Sequence, residues 1–237
     1  YSELYAGAAW VLPFRAFLVR SESGVVLIDA GLGPKPGDFL PARQGWLPSE
    51  LEAAGVSPDA VEIVLLTHLH VDHIGWAAAD GRPYFSRARY VASASDWVFF
   101  EAREESRVVF EEKLAPLERA GVLELIEPNE TEIAPGIVML PSPGHTPGHM
   151  SVRVAGGEAE AVILGDVRCR GEDTLVLARG AGIRRGGCRR GASPERVWAR
   201  LARRKRLRME EIVRTERRRS TMPGRLRPDQ DECVQDA

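Results

Sequence analysis

Three of the five histidines in this chain fall within seven residues, THLHVDH, at positions 67–73. His68 and His70 are two residues apart and follow an apolar segment that is typical of a buried strand. In extended backbone, side chains at i and i+2 point to the same side, so the two imidazoles can bind one metal ion together. Asp72 and His73 come next, where the chain should turn toward a helix, and they can reach a second point nearby. Carboxylates and imidazoles are ordinary zinc ligands, so the spacing predicts a metal site and not merely a polar loop that caps a helix.

The other two histidines lie in a second motif, PGHTPGH, at residues 143–149. Its glycines and prolines predict a rigid, exposed turn between two strands, which can present an imidazole with little conformational entropy left to lose. A third motif, LGD at residues 164–166, places an aspartate at the end of an apolar segment. A carboxylate at such a place is costly unless it is paired or binds a metal ion. Beside the two histidine motifs, Asp166 is interpreted as part of the same site and not as a turn residue.

The segments around these motifs predict alternating strands and helices. Short runs of β-branched and apolar residues predict strands at 10–19, 25–28, 63–66, 90–92, 122–126, 137–140, 150–154 and 161–164. A short helix is predicted at 48–54 and a longer one at 95–120, with a break near Pro116. Glycine and proline recur through 33–48, which predicts a surface loop. No apolar run reaches the roughly 18 residues that cross a membrane, so no transmembrane helix is expected.

Together, THLHVDH, GHTPGH and LGD, in this order, resemble the motifs of the metallo-β-lactamase superfamily of hydrolases. The two apolar strands that end in Asp29-Ala30-Gly31 resemble the N-terminal hairpin of that family, and the resemblance covers residues 10 to about 167. It implies an α+β fold, a four-layer αββα sandwich of two mixed β-sheets with outer helices. It also implies that the metal site lies at one edge of the molecule, between the sheets.

By position, the resemblance implies metal ligands of three kinds. The imidazoles of His68, His70 and His145 would hold the first metal. Asp72 and His73 would hold the second, and the carboxylate of Asp166 would bridge the two metals. The expected cofactor is Zn²⁺ at two sites, with Mn²⁺ or Fe²⁺ as alternatives. The resemblance implies that His149 supports the fold, so it is left out of the ligand set. Asp29 is interpreted as a turn residue, or alternatively as one that orients a ligand imidazole; Trp76 is either the floor of an apolar pocket or a core residue.

The chain departs from the family pattern after residue 167. The pattern expects one more histidine on a late strand, as the last ligand of the second metal, but no histidine follows His149. Cys169, Cys188 and Cys233 are candidate sulfur ligands, although none lies in a convincing strand. The second metal is therefore expected to bind weakly.

The charge of the chain changes at the same place. Residues 1–167 hold 12 Lys+Arg and 24 Asp+Glu, a net charge of −12, whereas residues 168–237 hold 20 and 10, a net charge of +10. The arginine- and glycine-rich segment 168–191 has little periodicity, which is typical of GC-rich DNA read out of frame. We predict a metal-binding domain at 1–167 and an atypical segment at 168–237, which is either a divergent end of that domain or the product of a frame error. A basic arm for nucleic acid is disfavoured, because the segment lacks a nucleic-acid motif and interleaved aromatic residues.

The expected function is metal-dependent hydrolysis. A metal-bound hydroxide would attack a carbonyl carbon or a phosphorus, and Asp72 would pass a proton to the leaving oxygen. The apolar residues Phe14, Trp76, Phe85 and 97–100 favour a lactone, an ester or an organophosphate as the small-molecule substrate. The alternatives are a thioesterase of the glyoxalase II kind and a metal-binding homologue that is catalytically impaired. No segment near the start is shaped like a signal peptide, which favours a cytoplasmic location without membrane contact. The sequence does not define the oligomeric state.

Overall fold

The computed structural model describes residues 14–21, 24–34, 45–156 and 159–166, together with the backbone of two further strands, Leu175–Arg179 and Arg208–Ile212. All of them belong to one compact unit, Pro13–Arg214. The other unit, Tyr1–Leu12 with Thr215–Ala237, lies outside the described residues. Among the described helices, none combines the length and the apolar character that crossing a membrane requires.

Strands and helices alternate along the described chain. The strands are β1 Ala16–Ser21, β2 Gly24–Ile28, β3 Val61–Leu65, β4 Ala78–Ala79, β5 Arg82–Pro83, β6 Arg89–Ser93, β7 Leu123–Ile126, β8 Thr131–Ala134, β9 Ile137–Pro141, β10 Met150–Gly156, β11 Ala159–Ile163, β12 Leu175–Arg179 and β13 Arg208–Ile212. The helices are α1 Leu47–Ala53, α2 Val71–Ile74, α3 Ala94–Glu101, α4 Arg107–Lys113 and α5 Ala115–Arg119. Single 3₁₀ turns lie at Pro58–Ala60 and Glu104–Ser106.

Six of the described strands form the first sheet, in the order β13–β1–β2–β3–β6–β7. β1 pairs antiparallel with β13 and β2, whereas β2, β3, β6 and β7 run parallel to one another. Apolar runs such as VVLI in β2 suit these positions, because a parallel sheet is buried on both faces. Parallel strands also end at a common edge, so the residues that follow β2 and β3 come close together.

Five of the described strands form the second sheet, in the order β12–β11–β10–β9–β8. Every neighbouring pair in it is antiparallel, so the expectation of mixed sheets holds for the first sheet and not for the described part of the second. β9 and β10 pair as a hairpin with Pro141 opposite Met150, and the connection between them carries PGHTPGH. β4 and β5 form a separate small hairpin.

The two sheets pack face to face through one apolar cluster. It includes Phe17, Ile28 and Leu65 from the first sheet and Met139, Val152 and Ile163 from the second. The other face of the first sheet packs against helices, and this second cluster includes Leu27, Tyr90, Leu51 of α1, Trp97 of α3 and Leu114 at the end of α4. The described residues therefore form three layers, with helices, the first sheet and the second sheet in that order.

Several predicted elements need correction. The helix predicted at 95–120 breaks near Pro116 as predicted, at Leu114, but it is also interrupted after Glu101 and therefore forms three helices. Proline fits there because the first turn of a helix needs no backbone N–H bond. β8 and the β4–β5 hairpin were not predicted, since such short strands are specified by pairing more than by local pattern. β12 and β13 lie in the segment where no strand was predicted, and both pair with strands of the body.

Candidate metal centre

The three predicted motifs meet at one edge of the two sheets. The histidine loop, residues 67–73, follows β3, and Asp29 follows the neighbouring strand β2. The histidine turn, residues 143–149, joins β9 to β10 of the second sheet, and Asp166 comes shortly after β11. Both sheets thus contribute loops to a single cluster of imidazoles and carboxylates.

His68, His70 and His145 form the first group of donor atoms. One ring nitrogen from each lies within 4.8 Å of the others. Nδ1 of His70 and Nε2 of His145 are 2.9 Å apart, although the two residues are 75 positions apart in sequence. The three rings are inclined edge to face, with centroids 4.7–4.8 Å apart. The imidazoles thus converge on one point, as three ligands of one metal ion would.

His68, His73 and Asp166 form a second group within the same 4.8 Å limit. Nε2 of His73 lies 3.4 Å from Oδ1 of Asp166 and 3.5 Å from Oδ2 of Asp72. The other oxygen of Asp166, Oδ2, lies 3.7 Å from Nε2 of His145. Asp166 therefore turns one oxygen toward each group, which is what a bridging carboxylate requires.

A buried chain of hydrogen bonds determines which nitrogen of His68 carries the proton. The buried carboxylate of Asp29 accepts hydrogen bonds from the backbone N–H and the hydroxyl of Thr67, at 2.8 and 3.0 Å. The hydroxyl proton is used in this way, so the Thr67 oxygen accepts from Nδ1 of His68 at 3.2 Å. Nε2 of His68 then keeps its lone pair. That nitrogen is buried without a hydrogen-bond partner among the described residues, which is costly unless a cation binds it.

Asp29 also orients His73. Its Oδ2 accepts a hydrogen bond from Nδ1 of His73 at 2.8 Å, which leaves Nε2 pointing toward Asp72 and Asp166. Burial opposes a charge on His73, but the carboxylates of Asp29, Asp72 and Asp166 outweigh it and raise the pKa of His73 well above its usual value. A lone pair facing two carboxylates is repulsive, so Nε2 requires either a proton or a metal ion.

The other donor histidines are neutral at pH 7. Burial lowers the pKa of His68 well below its usual value, and the neighbouring histidines lower it further. The same two causes lower the pKa of His70 to about 4, and burial lowers that of His145. Because metal ligation needs an unprotonated ring nitrogen, these three side chains are prepared as ligands at neutral pH.

His149 has both ring nitrogens engaged by protein groups. Nε2 accepts a hydrogen bond from the backbone N–H of Asp166 at 3.0 Å, so Nδ1 carries the proton and donates to Ser142 at 2.9 Å. The Ser142 hydroxyl lies 2.8 Å from that of Ser151, which donates to the carbonyl of Leu164 at 3.3 Å. These hydrogen bonds hold the segment that carries Asp166. They also leave neither ring nitrogen of His149 free to bind a metal ion.

One aromatic side chain contacts a donor histidine, and the predicted pocket residue Trp76 packs against the core. The ring of Phe100, which is buried, meets His70 edge to face with centroids 5.2 Å apart. Trp76 is half-buried against the core, where its ring lies 4.9 Å from that of Tyr84. A role for Trp76 in a substrate pocket stays a prediction.

Some residues that position the donors were missed or misread in the sequence. Thr67, Asp96 and Ser142 were missed; a charged residue within the apolar segment 95–100 was the available signal for Asp96. The preferred interpretation of Asp29 as a turn residue was incomplete, and its hydrogen bond to His73 agrees with the alternative, a residue that orients an imidazole. Its backbone is left-handed at φ 63°, as a turn requires, but its buried carboxylate orients His73.

The structure brings the six predicted ligands together, five of them in the two donor groups and Asp72 beside His73. Imidazole nitrogens and carboxylate oxygens are a donor set that zinc prefers, and the unpartnered Nε2 of His68 fits such an ion. Which of these residues bind metal stays a prediction. The described residues contain no cysteine, and the candidate sulfur ligands Cys169, Cys188 and Cys233 lie outside them.

The sequence model of the metallo-β-lactamase superfamily matches residues 15–215. The match covers most of the chain, so the chain belongs to the metallo-β-lactamase superfamily, and the resemblance based on the three motifs is confirmed.

Within the superfamily, the chain is distantly similar to N-acyl homoserine lactonases. It is 25% identical over 178 residues to the N-acyl homoserine lactonase of a Bacillus species, a match that covers 69% of this chain and 66% of that protein, slightly less than two thirds. A solved structure of a probable metal-dependent hydrolase from Staphylococcus aureus is 26% identical and has a TM-score of 0.55. The match covers 63% of this chain and 56% of that chain. The structure of AidC, a dizinc quorum-quenching lactonase, is 24% identical and has a TM-score of 0.50. The match covers 60% of this chain and 52% of that chain, and it shows the shared fold alone.

Proposed function

We propose that this protein is a metal-dependent hydrolase that opens lactones. The observation that carries the proposal is the pair of donor groups that share His68 at the edge of the two sheets, in a chain that belongs to a superfamily of hydrolases. The similarity to N-acyl homoserine lactonases supports a lactone as substrate, with simple esters as the related alternative.

His68, His70 and His145 would hold one zinc ion, and His73 with Asp72 and Asp166 would hold a second. When bound, zinc supplies a Lewis acid that activates water and polarises a carbonyl oxygen. The overlap of the two groups supports a dinuclear site. Mn²⁺ and Fe²⁺ accept the same donors and remain the alternative metals.

Asp72 is the side chain best placed to move a proton. Hydrolysis adds water across the ester C–O bond, and the departing alkoxide needs a proton. The carboxylate of Asp72 lies beside His73 and remains partly exposed, at 19% of its side-chain surface. It can therefore take a proton from the attacking water and deliver it to the alkoxide oxygen. Asp29 and Thr67 keep the neighbouring imidazoles in the tautomers described above.

A second candidate is a metal-binding homologue with impaired catalysis. It is favoured by one observation: residues 150–237 contain no histidine, so among the described residues the second position has one imidazole and two carboxylates of its own. A thioesterase of the glyoxalase II kind uses the same chemistry on a different acyl group and is tested by the same panel of substrates.

The finer description of the fold is also part of the proposal. We propose the four-layer αββα arrangement of the superfamily for this chain. A small-molecule substrate and a cytoplasmic location are proposed with it.

A panel of substrates at equal zinc loading tests the function. N-acyl homoserine lactones, an unsubstituted γ-lactone, an aryl ester, a thioester and a phosphotriester are compared by kcat/KM, with Asp72→Asn as the matched variant. Asparagine has the same size as aspartate and cannot carry the proton. The proposal expects lactones to have the highest kcat/KM and Asp72→Asn to lower it about 100-fold or more. Zinc-loaded protein without activity on any of the five would favour the impaired homologue.

A further inference from the structure

We propose that Asp96 is a positioning residue that holds the histidine loop and the histidine turn together, so that their imidazoles converge on one metal ion. The inference rests on the metal-binding part of the proposed function. Asp96 lies in the first turn of α3 and is completely buried. A buried carboxylate is costly unless several hydrogen bonds satisfy it, so its partners indicate its role.

Those partners come from both segments. Oδ2 accepts a hydrogen bond from the hydroxyl of Thr146 at 2.8 Å, and Oδ1 accepts one from the backbone N–H of Gly148 at 2.6 Å. The backbone N–H of Leu69 also lies near this carboxylate and favours its charged form. Thr146 is adjacent to His145, and Leu69 lies between His68 and His70. Asp96 therefore binds the turn directly beside His145, and it faces the backbone between His68 and His70.

Gly148 of the histidine turn lies in close contact with the start of α3. A Cβ added to Gly148 would lie 2.5 Å from the hydroxyl of Ser93 and 2.9 Å from Oδ1 of Asp96. The histidine turn is thus packed directly on the start of α3. The segments are also joined by the 2.9 Å contact between Nδ1 of His70 and Nε2 of His145 and by the bond from the backbone N–H of Met150 to the carbonyl of Thr67 at 2.8 Å. The Met150 bond comes last along the chain. That bond lies at the base of the turn, whereas the Asp96 bonds lie beside the imidazoles.

Loss of these bonds should act on metal binding more than on the rest of the fold. The donors of the first group come from segments about 75 positions apart, so their spacing depends on contacts between the segments. Groups that orient metal ligands typically contribute about 10- to 100-fold to metal affinity. We expect Asp96→Ala to weaken binding of the first zinc by at least about tenfold. Thr146→Val removes one bond at constant size, and it should weaken binding by about threefold.

The test measures the dissociation constant of zinc by competition with a chromophoric chelator, together with Tm in the metal-free and zinc-loaded states. Glu101→Ala is the matched control, because Glu101 is an exposed carboxylate at the other end of the same helix. The inference expects weaker zinc binding and a smaller zinc-induced rise in Tm for the Asp96 and Thr146 variants, and wild-type values for the control. A purely structural role would lower Tm of the metal-free protein and leave zinc affinity unchanged.

Wild-type zinc affinity in folded Asp96→Ala would overturn this inference alone. If that variant does not fold, Thr146→Val decides in its place, and wild-type affinity there has the same meaning. Equal losses in Glu101→Ala would assign the effect to charge and not to position, which would also overturn it. A wild-type protein that binds no zinc would overturn the proposed function and this inference with it.

Discussion

Asp29→Asn changes one atom of a buried side chain and should switch the tautomer of His73. The carboxylate of Asp29 accepts hydrogen bonds from the backbone N–H of Thr67 and from Nδ1 of His73, both at 2.8 Å. Asparagine has the same size and tolerates the left-handed backbone of this position, φ 63°. The backbone N–H of Thr67 can only donate, so the amide oxygen stays toward it and the amide NH₂ faces His73.

An NH₂ group opposite Nδ1 makes that nitrogen an acceptor, and the proton of neutral His73 moves to Nε2. Nε2 then has no lone pair for a metal ion. To bind one, the ring must return to its first tautomer and place an N–H against the amide NH₂. A lost buried hydrogen bond and two opposed donors cost about 2–3 kcal/mol. That cost corresponds to about 30- to 150-fold weaker metal binding at the position that includes His73.

Stepwise zinc titration against a chromophoric chelator measures this loss. Asp80→Asn is the matched control, since Asp80 is exposed and also left-handed, φ 49°. The reasoning predicts a weakened second step in Asp29→Asn and unchanged binding in the control. Wild-type affinity at both steps of Asp29→Asn would refute it.

Three further predictions concern stoichiometry, pH and one glycine. At limiting zinc the protein should hold close to one ion. The single lone pair of His68 serves one metal, so the second position has one imidazole and two carboxylates among the described residues. Two equal, tight binding steps in calorimetry would contradict this. Metal-free protein should lose stability as the pH falls from about 6.5 to about 4, because burial lowers the pKa of His149 to about 4 and the unfolded state takes up the proton first. Thermal unfolding across that range checks this, and His149→Gln should make the dependence shallower; equal slopes would count against it. Gly165→Ala should lower stability by more than the ~1–2 kcal/mol of a left-handed backbone, because its Cβ would lie 2.7 Å from Nε2 of His149. Gly55 also has a positive φ, but a Cβ added there would have no atom within 4 Å. The difference in unfolding free energy between Gly165→Ala and Gly55→Ala, measured by denaturant unfolding, therefore isolates the contact with His149. Equal losses of stability in the two variants would disprove the prediction.

Short motifs were sufficient to predict where the donors lie, because each motif sits at the end of a strand. His68 and His70 follow β3, and the parallel order of the first sheet brings them to the same edge as Asp29. The groups that orient these donors were harder to predict, since their partners are distant in sequence. Asp29 binds Thr67 across 38 positions, and Asp96 binds Thr146 across 50.

The fold was predicted best where burial enforces an apolar pattern. Strands β2, β3 and β9 contain short, nearly continuous apolar runs, and their predicted positions agree with the structure to within about two residues. β8 and β13 contain charged residues, so their pairing depends on neighbouring strands that a local pattern does not include. The boundary near residue 167, the frame-error hypothesis and the cytoplasmic location stay predictions.

The central claim is that hydrolysis depends on a metal held by the first donor group. The most direct measurement is zinc content and lactone turnover on the same samples, during zinc titration of metal-free wild type and of His70→Ala. His70 supplies one of the three converging ring nitrogens, so its loss should abolish tight zinc binding and turnover together. The account predicts no turnover in metal-free wild type and turnover that rises with bound zinc. Turnover without metal, or wild-type zinc content in His70→Ala, would contradict it.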